Sequence, residues 1–179
     1  MKEEKLIEWA YRIYNIACYH GWHETHYSEN HWLCLVMSEV AEMVEADRKN
    51  IRADINWFNS LTSAGHDFKM VYNVCIKWSI EEEMADVVIR LLDMFTVIYN
   101  GRKLDMSCAF VHLNLSCSFP ELAWYFTKEV LNSGPQDIAN SIAYMYQWAE
   151  NLGIDLDTHI ELKIKYNALR SYKHGGKKY

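Results

Sequence analysis

Leu35-Val-Met-Ser-Glu-Val-Ala-Glu-Met-Val-Glu-Ala46 and Glu81-Glu-Glu-Met-Ala-Asp-Val-Val-Ile-Arg-Leu-Leu-Asp93 are the two stretches that decide the fold of this chain. In each stretch the apolar residues recur every three or four positions, which is the period of an α-helix with about 100° between successive residues. Each also carries two carboxylates three positions apart, Glu39 with Glu42 and Glu83 with Asp86. The pattern predicts two amphipathic helices with matching acidic pairs.

The two acidic pairs occupy the same angular position beside the apolar stripes of their helices. The first stripe consists of Leu33, Val36, Met37, Val40, Met43 and Val44. The second consists of Ile80, Met84, Val87, Val88, Leu91, Met94 and Phe95. If the helices pack antiparallel through these stripes, four carboxylates converge at the edge of one core.

Such a cluster needs a neutralising charge, because two carboxylates about 4 Å apart repel by about 4 kcal/mol at the dielectric of a protein margin. Oxygen ligands bind hard divalent cations, and Mg²⁺ typically combines a few carboxylates with substrate phosphates. Neither pair contains the histidine of di-iron bundles, and the chain lacks a Cys-x-x-Cys zinc motif. Carboxylates at this spacing are also common on solvated helix faces, and spacing alone leaves that alternative open.

Composition limits the classes of protein that the chain can belong to. Its 179 residues suit one domain with a sizeable core, and charged residues interrupt the apolar runs, so no membrane span is expected. The charged N-terminus and five cysteines predict a soluble protein of the reducing cytoplasm. A net charge of −6 argues against binding a nucleic-acid polymer as the main task, although Arg170, Lys173, Lys177 and Lys178 form a basic tail.

Helical periods and capping residues extend through nearly the whole chain. They predict helices over 2–20, from Ser28 to about residue 50, within 51–77 with a break near 63–65, and from Ser79 to Tyr99, ending at Gly101. Capping patterns at Ser118 and Ser133 predict helices of about 13 and 17 residues, and Asp155 can cap a last helix reaching Arg170. The predicted fold class is all-α.

The order of these motifs resembles the MazG-like nucleotide pyrophosphohydrolases of the all-α NTP pyrophosphatase superfamily. The resemblance extends to three later segments, Asn151-Leu-Gly-Ile-Asp-Leu156, Lys163-Ile-Lys-Tyr-Asn-Ala-Leu-Arg170 and His174-Gly-Gly-Lys-Lys178. It implies one MazG-like domain over 1–179, with a four-helix core, additional helices and assembly as a homodimer or homotetramer. It also implies a Mg²⁺-dependent enzyme, with Mn²⁺ as a substitute, that converts an NTP or dNTP to the monophosphate and pyrophosphate.

The resemblance also implies the residues of the site. The catalytic Mg²⁺ ligands would be Glu39, Glu42, Glu83 and Asp86, and the phosphate or nucleotide contacts would be Lys163, Asn167 and Arg170. Without the resemblance, the basic residues are better explained by a helix C-terminus that favours positive charge. Glu82 has two interpretations, as a catalytic base or as a helix-capping residue.

The linker Gly21-Trp-His-Glu-Thr-His-Tyr-Ser-Glu-Asn-His31 is the candidate for base recognition. Trp22 could stack on a base, and His23 or His26 could hydrogen-bond its edge. Trp22 and Tyr27 could instead only pack the junction between two helices. A zinc site from His20, His23 and His26 is disfavoured, because no acid or cysteine completes a tetrahedral shell.

Three departures from the family leave rival functions open. Ser38 stands where the family often has a second acid, and the segment between the acidic pairs is long. An elaboration of about fifty residues, at about 100–150, precedes the final helix. In that elaboration Pro120-Glu-Leu-Ala-Trp124 and Asp137-Ile-Ala-Asn140 faintly echo the acidic motifs, either as a degenerate second copy or as recurring amphipathic helices. The rivals are a noncatalytic nucleotide-sensing or interaction module and a phosphoribosyl-ATP pyrophosphatase.

Overall fold

The computed structural model describes residues 3–100, 104–114, 116–176 and 178. The regular elements in these ranges are all helical, and none of these residues lies in a strand. The prediction of an all-α fold is therefore confirmed. Among the described helices, none combines the length and the apolar character that crossing a membrane requires.

The helices follow the predicted order along the chain. They are α1 (Glu3–Tyr19), α2 (Glu29–Arg48), α3 (Ile55–Ser63), α4 (Phe68–Cys75), α5 (Ile80–Tyr99), α6 (Phe119–Tyr125), α7 (Pro135–Asn151), α8 (Leu156–Ala168) and α9 (Lys173–Gly176). A π-helical turn, Phe126–Val130, continues α6. The last element, α9, is a single turn in which His174 and Gly175 are left-handed.

Local capping explains where several helices start. The hydroxyl of Ser79 accepts a hydrogen bond from the N–H of Glu82, and a carboxylate oxygen of Asp155 accepts one from Thr158, as the sequence predicts. The prediction for Ser133 was wrong, because Gly134 is the N-cap of α7 and Pro135 occupies the first turn, where its fixed φ suits a helix.

The last long helix, α8, and the central helix, α5, end near the predicted residues. The last long helix ends at Ala168 instead of Arg170, and Leu169 forms its C-cap. The predicted stop at Gly101 lies outside the described residues, and α5 ends at Tyr99.

The α5 helix forms the centre of the fold. It packs against α1, α2, α7 and α8, and apolar residues from all of these helices enter one core. Most residues of α5 are buried, including several of its acidic side chains, because neighbouring helices surround it. The two acidic helices, α2 and α5, are antiparallel: the N–H of Ile80 donates to the carbonyl of Ile51 beyond the end of α2, and His23, before α2, contacts Asp93 late in α5.

The helices between α2 and α5 and the helices after α5 contact different elements of the fold. Helices α3 and α4 enclose a small second cluster with α8, formed by Phe58, Val71, Tyr72, Cys75, Ile76 and Tyr166. Helix α6 packs on α2, and α7 packs on α5. The degenerate-repeat interpretation stays a prediction; Trp124, the proposed counterpart of Glu42, is exposed, and the side chain of Asn140 accepts a hydrogen bond from Phe110.

Candidate functional site

Three of the predicted metal ligands meet between α2 and α5. Glu39, Glu83 and Asp86 each offer a carboxylate oxygen, and these oxygens all lie within 4.8 Å of one another. The spacing of three residues places Glu83 and Asp86 on one face of α5, and the antiparallel packing places Glu39 opposite them. Glu39 and Glu83 are buried, whereas Asp86 is half-buried. We call these residues the acidic cluster.

Glu42, the fourth predicted ligand, lies outside the group of mutually close oxygens. Its side chain is exposed, and it lines the same cleft as the acidic cluster. The structure thus gathers three of the four predicted carboxylates and leaves the fourth on the cleft wall beside them.

Burial and mutual repulsion disfavour the ionised form of two residues of the acidic cluster. Burial, followed by the charges of Asp86 and Glu82, raises the pKa of Glu83 to about 9. Burial and the charge of Asp86 also raise the pKa of Glu39, although Arg90 acts in the opposite direction. These carboxylates therefore gain from a nearby cation more than solvated carboxylates would.

Lys163 of α8 reaches the cluster from the opposite wall. Its ammonium nitrogen lies 2.6 Å from Oε1 of Glu82 and 2.5 Å from Oδ2 of Asp86, and the residue is only 6% exposed. Burial acts to lower the pKa of Lys163, but the charges of Asp86 and Glu82 outweigh it, and the pKa is raised. The ammonium of Lys163 is thus paired with two carboxylates. Its contact with a phosphate stays a prediction.

Glu82 is a structural anchor in this arrangement. Besides the ammonium of Lys163, its carboxylate accepts hydrogen bonds from the hydroxyl of Tyr72 at 3.0 Å and from the N–H of Trp78 at 2.5 Å. The side chain is 1% exposed, and its lone pairs are directed at three donors. The N–H of Glu82 bonds the capping hydroxyl of Ser79, as predicted, but its carboxylate accepts from Trp78 and not from the N–H of Ser79. These contacts favour a structural role for Glu82 over its use as a base.

The acidic cluster lies on a cleft of about 170 Å³. Its polar wall includes two further cationic groups, Lys77 and the half-buried Arg170, and the predicted contact Asn167. The amide oxygen of Asn167 is buried and has no hydrogen-bond partner among the described residues. Carboxylates, cationic side chains and the amide oxygen of Asn167 thus line one small cavity. This arrangement suits a charged ligand.

The ring-bearing residues of the linker 21–31 lie in different environments. Trp22 lines the cleft, and its ring packs edge-on against His174 at 5.0 Å between centroids. Stacking of Trp22 on a base stays a prediction. The imidazole of His23 is stacked on Tyr14 at 5.0 Å and bonded to Asp93 at 2.9 Å. Base recognition by His23 stays a prediction, and its ring is already held by these two partners. His26 is exposed.

Several residues that line the cleft are assigned no nucleotide-site role from the sequence. Arg90 donates from Nε to Oε1 of Glu39 at 2.9 Å, and its position four residues after Asp86 would have placed it on the same flank of α5. His20 follows Ile13 and Ala17 at helical spacing, which places it on the buried face of α1. Lys77 reaches the cleft through the tertiary arrangement of the turn before α5, which helical periodicity does not encode.

The sequence matches no family model, and comparisons with curated proteins and with solved structures also gave no match.

Proposed function

We propose that this chain is a Mg²⁺-dependent nucleoside triphosphate pyrophosphohydrolase of the MazG-like kind, which converts an NTP or dNTP to the monophosphate and pyrophosphate. The observation that supports it is the acidic cluster, Glu39, Glu83 and Asp86, on a cleft that also carries cationic side chains. The order of motifs in the sequence supplies the reaction class.

The residues of the acidic cluster fit a hard divalent cation. All three donors are carboxylate oxygens within 4.8 Å of one another, and oxygen donors suit Mg²⁺ or Mn²⁺. The raised pKa of Glu83 and Glu39 reflects repulsion and burial that a cation would offset. Glu39, Glu83 and Asp86 would hold the ion, and Glu42 would face it from the cleft wall.

When bound there, Mg²⁺ would supply charge neutralisation at phosphate oxygens and a lowered pKa for a bound water. The protein would supply the remaining positioning. Arg170 offers a planar fork suited to paired phosphate oxygens, and Lys77 offers a point charge on the same cleft. Lys163 fixes the orientation of Asp86 through its 2.5 Å contact, and Arg90 fixes that of Glu39.

The resemblance to MazG-like proteins also supports a proposal about assembly and cellular location. We propose that the enzyme is a cytoplasmic homodimer or homotetramer. Sedimentation of the purified chain would give a mass two or four times 21.2 kDa, and a stable monomer would contradict this assembly.

Pyrophosphate release tests the proposed reaction. Purified protein is incubated with Mg²⁺ and a panel of canonical and modified NTPs and dNTPs that includes phosphoribosyl-ATP. Glu42→Gln and Asp86→Asn should abolish release without unfolding the protein. Glu45→Gln is the matched control, because Glu45 lies on α2 outside the cleft and pairs with Arg48 and Lys49.

The outcomes separate this proposal from its rivals. Release from an NTP or dNTP that is lost in Asp86→Asn and kept in Glu45→Gln would support the proposal. Selective turnover of phosphoribosyl-ATP would indicate that rival activity instead. Nucleotide binding without any release would contradict the proposal and favour a sensor.

A further inference from the structure

The imidazole of His20 is buried at the end of α1. The residue is 2% exposed, and neither Nδ1 nor Nε2 has a hydrogen-bond partner among the residues that the structure describes. Buried polar side chains are nearly always paired, so an unpaired ring in a protein interior requires an explanation. A ligand that pairs with it is one such explanation.

His20 lies on the wall of the cleft that holds the acidic cluster. The α1 residues beside it on this wall are apolar, namely Ile13, Ile16 and Ala17. Its ring packs against that of His174 at 5.9 Å between centroids, and His174 in turn packs against Trp22 at 5.0 Å. This aromatic and apolar part of the cleft contrasts with the charged groups of α5 and α8.

The C-terminal turn covers His20. The N–H of Lys173 donates to the carbonyl of His20 at 3.0 Å. The carboxylate of Glu24 accepts a hydrogen bond from the hydroxyl of Tyr172 at 2.7 Å and pairs with the ammonium of Lys173 at 3.1 Å. Lys173 and His174 have positive φ angles of 42° and 49°, which are uncommon for residues other than glycine. The side-chain contacts of Tyr172 and Lys173 with Glu24 lie at the surface, and a left-handed turn is locally strained, so this turn is a candidate for local opening.

We propose that His20 is a specificity-determining residue that hydrogen-bonds the base of the nucleotide once the His174 ring moves aside. This assignment rests on the proposed function for the identity of the ligand. A neutral imidazole provides one donor and one acceptor, which suits the edge of a planar heterocycle. The neighbouring Trp22 offers a stacking surface for the same ring. Phosphates, by contrast, belong beside Arg170 and Lys77.

A divalent metal is a poorer occupant for this position. Among the described residues, the one group of three or more metal-ligating side chains is the acidic cluster, and it contains no histidine. His20 is surrounded instead by apolar and aromatic groups, so a neutral heterocycle matches its surroundings better.

The binding of nucleotide analogues tests the role of His20. Calorimetry measures the affinity of the full chain, with Mg²⁺, for non-hydrolysable α,β-imido analogues of the four common dNTPs and for inorganic tripolyphosphate, which has no base. His20→Phe keeps a planar ring and removes both polar atoms. His66→Phe is the control, because His66 is an exposed histidine in the loop after α3.

We expect the natural chain to prefer at least one base, and His20→Phe to weaken binding of that analogue about tenfold, the size of one lost buried hydrogen bond. Tripolyphosphate should bind both proteins within about twofold, and His66→Phe should match the natural chain. An unchanged base preference in folded His20→Phe would overturn the assignment, as would a natural chain that binds all analogues and tripolyphosphate equally. If His20→Phe does not fold, His20→Leu, which also lacks both polar atoms, decides by the same criterion.

Failure of this inference is distinguishable from failure of the proposed function. A natural chain that releases pyrophosphate, together with a His20→Phe variant of unchanged base preference, would defeat only the role of His20. Base preference that depends on His20, without turnover of any nucleotide, would defeat only the proposed reaction. Absence of binding to every analogue, together with no pyrophosphate release from any member of the wider nucleotide panel, would defeat both.

Discussion

The ammonium of Lys163 lies 2.5 Å from Oδ2 of Asp86, so a buried cation of α8 holds one of the candidate metal ligands of α5 in place. The same ammonium contacts Glu82, which also accepts hydrogen bonds from Tyr72 and Trp78. One charged group therefore links α8, the turn before α5 and the acidic cluster. The stability of the fold and the geometry of the site are coupled through it.

Lys163→Met should destabilise the protein by about 3 kcal/mol, because it leaves the buried carboxylate of Glu82 and the half-buried carboxylate of Asp86 without their shared cation. Urea unfolding followed by circular dichroism measures the loss. The matched control is Lys165→Met on the exposed face of α8, which removes a contact with Phe68 and should cost less than about 1 kcal/mol. Equal losses in the two variants would show that the buried contacts of Lys163 contribute little.

Glu83→Gln should raise the stability of the metal-free protein by about 1 kcal/mol or more. Its buried carboxylate has a pKa of about 9, so folding opposes its ionisation, and a neutral amide removes that opposition. The free energy of unfolding in a chelating buffer measures the gain. A loss of stability would contradict this description of the cluster.

Divalent cations should stabilise the natural chain by mass action. At a Mn²⁺ or Mg²⁺ concentration about 100 times the dissociation constant, the expected gain is about 2.7 kcal/mol, seen as a rise in melting temperature that a chelator reverses. Asp86→Asn should lose this rise, whereas Glu45→Gln should keep it. The same rise in both variants would place the cation elsewhere on the molecule.

Gly21→Ala should disturb the C-terminal turn. A Cβ at Gly21 would lie 2.4 Å from the ring of Tyr172, and the φ of Gly21 is +80°. Gly65→Ala is the control, since Gly65 has a φ of +85° but nothing within 4 Å of the added atom. Both substitutions should cost about 1 kcal/mol of backbone strain, and Gly21→Ala should cost measurably more in urea unfolding. Equal costs would show that Tyr172 moves away freely.

His159 should make the protein sensitive to mild acid. Burial lowers its pKa in the fold, although the charges of Glu81 and Asp155 act in the opposite direction. The unfolded chain therefore binds a proton more readily, and stability should fall as the pH drops below about 6.5, the ordinary histidine value. His159→Gln should reduce the slope of unfolding free energy against pH between about 5 and 6.5. An unchanged slope would assign the acid sensitivity to other groups.

Periodicity and capping predicted the parts of the structure that depend on neighbouring residues in sequence. The stripes of α2 and α5 placed Glu39, Glu83 and Asp86 on one edge, and the caps Ser79 and Asp155 located the starts of α5 and α8. The error at Ser133 arose because a serine with Gln136 three residues later imitates a capping box, whereas the following Gly-Pro fixes the start of α7 at Pro135.

The contacts that cross between distant segments could not be predicted from spacing. Glu82 was one of three adjacent acids, and its role appears only because Tyr72, Trp78 and Lys163 converge on it. Trp78 adopts a φ of 69°, a conformation that helical patterns do not indicate. The cover over His20 likewise depends on the packing of the C-terminal turn against the end of α1.

The product of nucleotide hydrolysis tests the central claim most directly. Phosphorus NMR of the natural chain with Mg²⁺ and its preferred NTP or dNTP identifies the bond that is broken. The account predicts a nucleoside monophosphate and pyrophosphate in equal amounts, with no turnover by Asp86→Asn and normal turnover by Glu45→Gln. Release of inorganic phosphate with a nucleoside diphosphate, or turnover that survives in Asp86→Asn, would contradict it.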